Sequence, residues 1–244
     1  MPTGGPLVVQ WHAIELAPFQ AGVMHRVIIE AENGGSAPWR SVSPDDGLFL
    51  AYHWLDERGN AIVWDGHRTA LERLVEPGAT LRQQMVVQGP IPPGRYRLAV
   101  DLVVEQRFWL TELGNDALER DVDVAPRDAT GARTFLGDGA EPAVDWEERA
   151  RSLHEEGYGA VGGAVQADGG LFRRRPADLA LYSPRGGRHP RFPHPLVCPS
   201  LLPPLEPNDE VAGLPAYRPD PDEPWMFDAR MVIRLRSRSD RRRA

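Results

Sequence analysis

Between Met24 and Glu32 the apolar residues Val27, Ile29 and Ala31 recur at every second position. A period of two is the spacing of a β-strand with one buried face. Leu48 to Leu55 is the clearest strand in the chain. Leu48, Leu50, Tyr52 and Trp54 share one face, and Phe49, Ala51, His53 and Leu55 share the other. Apolar residues on both faces predict a central strand. Further strands are predicted at Pro6–Leu16, Ala61–Trp64, Leu81–Val87, Tyr96–Val104, Gln106–Leu110 and Leu118–Val124. Turn chemistry separates them: Asn33-Gly34-Gly35-Ser36, Ser43-Pro44-Asp45-Asp46-Gly47, Asp56-Glu57-Arg58-Gly59-Asn60, Glu76-Pro77-Gly78 and Pro92-Pro93-Gly94. The first of these is read as a turn because both glycines can take positive φ. Some eight or nine short strands at nearly regular spacing predict an antiparallel β-sandwich over residues 5–125. Trp39 is placed as a plug at its end.

The pattern changes after residue 125. Residues 126–142 are rich in Gly, Pro and Asp and read as a linker. Residues 143–235 read as a smaller, proline-rich α+β extension. In it a helix begins after Asp145, with Asp145 and Glu148 as a capping box and Trp146, Ala150 and Leu153 on one face. Gly157 ends it. Tyr158–Val165 and Ala177–Tyr182 are predicted short strands. Gly186 to Pro224 carries 11 prolines in 39 residues, a density at which no regular element is expected. The interspersed Phe192, Leu196, Val197, Leu201, Leu202, Leu205 and Leu214 suggest an extended segment laid on a surface. Trp225–Leu235 is a final strand, and residues 236–244 are a basic tail.

The segments ENGGSAPW, YHWL, VEPG and PPGRYRL carry a resemblance. They look like those of bacterial immunoglobulin-like modules that occur beside glycosyltransferases and methyltransferases of cell-surface glycan assembly. The same punctuation is similar to the four-tryptophan immunoglobulin-like domain, for which Trp39, Trp54, Trp64 and Trp109 supply four tryptophans. The resemblance covers residues 24–124. It implies an immunoglobulin-like sandwich and a role near polysaccharide biosynthesis, and it brings no catalytic residues.

Charge narrows the partners. The formal net charge is -7, and all 28 basic residues are arginine. Residues 1–125 hold 17 acids against 10 arginines, whereas residues 126–244 hold 18 of each. An acidic sandwich argues against nucleic-acid binding, which needs a net positive surface. The seven arginines from Arg230 to the C-terminus read as a solvated terminus. No apolar run approaches the ~20 residues of a membrane span. The N-terminus lacks a basic region followed by an apolar core, so the expected location is cytoplasmic. With one cysteine, Cys198, no intrachain disulfide forms.

Four groups of residues offer chemistry. Gly157, Gly159 and Gly162 match G-x-G-x-x-G, but a helix precedes them and a strand follows, the reverse of a phosphate-binding turn. His189, His194 and Cys198 have zinc-ligand chemistry without a fourth ligand, so neither metal nor cofactor is expected. His53, Asp65, His67 and Arg68 form the best polar cluster, in which an acid beside a histidine has the makings of acid–base catalysis. No activated nucleophile accompanies them, so catalytic residues are not assigned. Trp54 is expected in the core. Trp64 sits at a strand end in Trp-Asp-Gly, where an aromatic can face solvent and stack on a sugar.

Together these features predict a non-catalytic module binding carbohydrate or a glycan-assembly enzyme through Trp64, Asp65, His67, Arg68 and His53. Two alternatives stay open. One is a sugar- or sugar-phosphate-modifying enzyme with its site in the C-terminal half, and the other is a pure protein-interaction scaffold.

Overall fold

The computed structural model describes residues 5–43, 46–132, 140–167, 210–211, 214–215 and 224–235. The chain divides into two units, residues 1–126 and residues 127–244.

The first unit is a β-sandwich. Its strands are β1 (Val9–Glu15), β2 (Phe19–Gln20), β3 (Met24–Asn33), β4 (Ser41–Ser43), β5 (Asp46–Leu55) and β6 (Ala61–Val63). They continue with β7 (Thr69–Ala70), β8 (Thr80–Gln88), β9 (Gly94–Val104), β10 (Phe108–Trp109) and β11 (Leu118–Ala125). One sheet has the order β1-β3-β8. The other runs β2-β11-β9-β5-β4, with β6 and β7 pairing β5 and β10 pairing β9. All pairings are antiparallel except β2 with β11. Strands β2 and β7 are two residues long, too short to leave a period in the sequence, so eleven strands form where eight or nine are predicted. The expected strand at Gln106–Leu110 is also shortened. It becomes β10 followed by a 3-10 helix at Leu110–Leu113, ended by Gly114 at φ 87°.

Alternation places the core. Val27, Ile29 and Ala31 of β3 and Leu81, Met85 and Val87 of β8 face inward. They meet Leu48, Leu50, Tyr52 and Trp54 of β5, Leu98, Val100 and Leu102 of β9, and Val122 and Val124 of β11. Trp39 is buried in the same cluster, and its backbone pairs with Val75 in both directions at 2.9 Å. One inward residue of β8 is polar. Gln83 satisfies its amide by accepting from Glu72 N and donating to Ala70 O, both at 3.0 Å, so its burial costs little.

The turn after β3 forms for a different reason from the one the sequence suggests. Gly34 and Gly35 are not among the residues with positive φ. A Cβ on Gly35 would lie 2.3 Å from the Pro6 carbonyl oxygen, and one on Gly34 would lie 2.9 Å from the Gln10 side chain. Close passage of two backbones requires glycine here. Asn33 holds the turn from inside: its Nδ2 donates to the carbonyls of Ala37 and Val75, and its Oδ1 accepts from Gly35 N.

The second unit contains β12 (Ala140–Pro142), α1 (Trp146–Glu156), β13 (Ala160–Ala167), β14 (Glu210–Val211), β15 (Leu214–Pro215) and β16 (Trp225–Leu235). The order β12-β16-β13 makes one sheet, with β13 parallel to β16. Helix α1 lies against β13 and β16, and Trp146, Leu153 and Met231 are buried. Three expectations are corrected. The segment read as a linker ends in β12. The capping box does not form, because the Asp145 carboxylate binds Arg149 Nε at 2.5 Å instead of a backbone N–H. A two-stranded pair, β14 and β15, survives inside the proline-rich stretch. Gly157 closes α1 at φ 124°, and β13 follows, so the Gly157–Gly162 motif stands at a helix exit. His189, His194, Cys198, the predicted strand Ala177–Tyr182 and the tail 236–244 lie outside the described residues. Among the described residues, no helix is long and apolar enough to cross a membrane.

Candidate functional site

The candidate site is built on the outer face of the larger sheet. Strands β5 and β9 pair with Phe49 opposite Val103, Ala51 opposite Asp101 and His53 opposite Ala99. Side chains alternate, so these six lie on the face turned away from the sandwich core. All six are nevertheless buried. Two segments cover them. After β9 the chain reverses through Gln106, at a left-handed φ of 58°, and lays Trp109 of β10 opposite Val103. Phe49, Ala51, Val103 and Trp109 then form a second, small apolar cluster. From the other side comes the loop that follows β6, residues Trp64 to Arg68.

Asp101 ties the first cover down. Its Oδ1 accepts from Leu102 N at 2.7 Å, and its Oδ2 accepts from Thr111 Oγ1 at 2.7 Å and Thr111 N at 3.3 Å. Burial pushes the Asp101 carboxyl above its ordinary value, and these hydrogen bonds only partly oppose that.

The second cover is pinned by Gly66. Its N donates to the Tyr52 carbonyl at 3.0 Å, and a Cβ there would lie 2.6 Å from the Tyr52 ring. Only glycine fits, which is why the Trp-Asp run at 64–65 is followed by one. The pinned loop sets Trp64 flat over His53, with ring centroids 4.1 Å apart at 21°. The His53 ring also meets Trp109 at 4.3 Å, and Trp64 meets Trp109 edge-on at 6.2 Å. His53 Nδ1 donates to the Trp64 carbonyl, because a carbonyl can only accept. Burial lowers the His53 pKa, outweighing that hydrogen bond and the nearby Asp101 and Asp65 carboxylates. His53 is therefore neutral, and its buried Nε2 has no partner among the described residues.

Arg68 completes the site. Its guanidinium lies over the Trp109 ring at 4.9 Å. It donates to Asp65 Oδ1 at 2.6 Å, Glu105 Oε2 at 2.9 Å and Gly66 O at 2.8 Å. Trp64 keeps 53% of its surface exposed despite the packing beneath it. The arrangement is a half-exposed indole stacked on His53, with Asp65 next to it in the chain and Glu105 joined to Asp65 through Arg68.

Of the five residues singled out in the sequence, four meet here. His53, Trp64, Asp65 and Arg68 form one cluster. His67 turns elsewhere, with Nε2 3.4 Å from Gln88 Oε1. The expected His53–Asp65 pair is replaced by two others, His53 with the Trp64 carbonyl and Asp65 with Arg68. A histidine stacked under one indole and wedged against another is ill placed for proton transfer to a ligand. Sequence reasoning passed over Asp101 and Glu105. The signal for Asp101 was a lone acid in the apolar run LAVDLVV. Among the described residues, no group of three or more His, Cys, Asp or Glu side chains is arranged to hold a metal ion.

No family model matches the sequence, and no curated protein does. Among solved structures, the C-terminal domain of Wzt is 12% identical, with a TM-score of 0.34 over 56% of this chain and 87% of that one. The ASH/PapD-like domain 7 of human CEP192 is 17% identical, with a TM-score of 0.24 over 50% of this chain and 87% of that one. A family 123 glycoside hydrolase from Clostridium perfringens is 10% identical, with a TM-score of 0.25 over 44% of this chain and 22% of that one. Likeness at this level carries no argument about function, and the sandwich assignment rests on the strand order and registers themselves.

Proposed function

We propose that this protein is a non-catalytic carbohydrate-binding module with Trp64 as its stacking platform. The observation that carries the reading is the exposed indole face held flat on His53. An indole offers a large, rigid, amphipathic surface at small entropic cost, and the C–H face of a pyranose packs on such a surface. Asp65, the next residue, and Glu105, joined to it through Arg68, supply carboxylate oxygens to accept hydrogen bonds from ring hydroxyls. Service to cell-surface polysaccharide assembly is the setting suggested by the resemblance of residues 24–124 to immunoglobulin-like modules. The test is a glycan array probed with the intact protein and with Trp64→Ala. Wild type should bind a subset of glycans, and the variant none of them. Equal binding by both would refute the platform.

One observation favours a protein partner as the second reading. Ile62, two residues before Trp64, is 45% exposed on β6, which pairs with β5 alone among the described strands. Ile62→Asp separates the two. A sugar platform tolerates it, whereas a protein-docking patch that includes the strand does not.

A further inference from the structure

We infer that the Trp64 site selects uncharged, hydroxyl-rich sugars and discriminates against acidic ones such as uronates. This rests on the reading of Trp64 as a stacking platform, and it names the ligand class for that same site.

The inference follows from how the charges beside the ring are committed. Arg68 is the cation of the cluster, and it is already engaged. Its guanidinium faces Trp109 on one side and donates to Asp65, Glu105 and Gly66 in its own plane. An arginine that captures a sugar carboxylate does so through two parallel N–H groups on one edge. Here those donors point at the protein's own carboxylates. Two carboxylates against one guanidinium leave a net negative charge at the platform. Asp65 Oδ1 and Glu105 Oε2 are taken, and each carboxylate retains a second oxygen. The Asp65 side chain is 69% exposed, so its second oxygen is open to a ligand. Three of the five Arg68 N–H groups are committed, and beside the Trp64 indole N–H the polar atoms most open to a ligand are carboxylate acceptors. A neutral sugar brings donors to them, and a uronate brings another anion. The surrounding sandwich adds to the discrimination, because residues 1–125 carry the whole formal charge of -7.

The size of the effect is set by exposure. Surface charge pairs in water are worth a factor of up to about five each, and they fade as ionic strength rises. The gap between a neutral oligosaccharide and a uronate of equal length should thus be up to about fivefold per repelling charge at low salt. It should shrink toward unity at about 1 M salt, where the screening length is near 3 Å.

The experiment is a tryptophan-fluorescence titration of the full chain. The probes are neutral galactan and mannan oligosaccharides against oligogalacturonate and alginate oligosaccharides of matched length. The decisive variant is Asp65→Asn, which removes one negative charge and loosens the hold on Arg68 Nη2. Because Asp65 is exposed, the fold should persist. We expect neutral sugars to quench, uronates to bind more weakly by a factor of about two to five, and Asp65→Asn to narrow that ratio by tightening uronate binding. Uronates binding as tightly as neutral sugars in 20 mM salt would overturn the charge argument while leaving the platform standing. A ratio unmoved by Asp65→Asn would do the same. If neither class quenches, while Trp64→Ala still removes a fluorescence component of the folded protein, the platform reading itself has failed, and the selectivity fails with it.

Discussion

Replacing Trp54 by alanine separates a tryptophan that holds the sandwich together from one that faces outward. Trp54 is fully buried, packs edge-on against Phe19 at 5.4 Å and Tyr96 at 6.3 Å, and donates its indole N–H to the Gln88 carbonyl at 2.8 Å. Truncating a buried tryptophan typically costs about 3–5 kcal/mol, from lost transfer energy and the cavity left behind. The lost hydrogen bond adds about 1 kcal/mol. Taking about 4 kcal/mol and a urea slope of about 2 kcal/mol/M, the midpoint should fall by about 2 M. A domain of this size is stable by only about 5–15 kcal/mol, so the loss is a large share of the total. Trp64→Ala is the control. It forfeits the stack on His53 and the edge contact with Trp109, each worth about 0.5–1.5 kcal/mol, and should move the midpoint by about 0.5–1.5 M, less than Trp54→Ala does. The assay is equilibrium urea unfolding of the intact chain, followed by fluorescence. Five of the seven tryptophans lie in residues 1–126, so the signal reports mainly on the sandwich. Equal shifts from the two substitutions would refute the division into core and platform. A shift below 1 M for Trp54→Ala would refute the assigned register of β5.

Acid should weaken the fold through histidine. Burial holds His25 and His53 below their ordinary pKa, so the unfolded chain takes up their protons first, and stability falls as pH drops below about 6.5. His53→Gln should flatten the fall in urea midpoint between pH 7.5 and 5.5; an unchanged slope in that variant would count against the buried neutral ring. Asp101 works in the opposite sense, because its raised pKa favours the protonated folded state and costs stability as pH climbs above about 4. Asp101→Asn should therefore lose little stability at pH 7 relative to pH 4, as read by thermal melts at the two values. Asn33→Ala removes three hydrogen bonds from a buried turn and should cost about 3 kcal/mol in urea unfolding; a loss under 1 kcal/mol would show that the turn closes without them. Gly66→Ala should both destabilise the fold and abolish sugar-dependent quenching, since its Cβ would enter the Tyr52 ring that positions the loop.

The parts of this fold that were legible in the sequence are those written in local periods. Strands β3 and β8 show alternation because one face of each is buried by the opposing sheet, and β5 is apolar on both faces because both are covered. Trp64 was legible only as an aromatic able to face solvent, because it sits at a strand end in Trp-Asp-Gly. The rest was set by contacts between residues far apart in the chain. Asn33 reads as a turn residue, but its second acceptor is the carbonyl of Val75, 42 residues away. The polar cluster was assembled from the hairpin of β5 and β6, whose bulge sets Val63 opposite Trp54 and Ala61 opposite Leu55. That bulge settles which group His53 meets, and alternation alone cannot locate it. Glu105 joined the site because β9 and β7 both pair with β5, Val104 opposite Leu48 and Thr69 opposite Leu50, which lets Arg68 reach it. His67 was grouped with Arg68 by adjacency in sequence, yet it turns to Gln88.

The parallel pairing of β2 with β11 has a consequence for synthesis. Phe19 is opposite Val124, and Ala21 N donates to the Ala125 carbonyl at 2.9 Å. The N-terminal segment also depends on Asn115, whose side-chain oxygen accepts from Val9 N. A ribosome adding about 5–20 residues per second needs on the order of 5–20 s to travel from β2 to β11. Throughout that interval Phe19 and its neighbours have no partner strand, and the larger sheet lacks its final edge. The nascent sandwich must remain open until almost all of it has been made, which makes the emerging chain a client for whatever shields apolar surface at the exit tunnel.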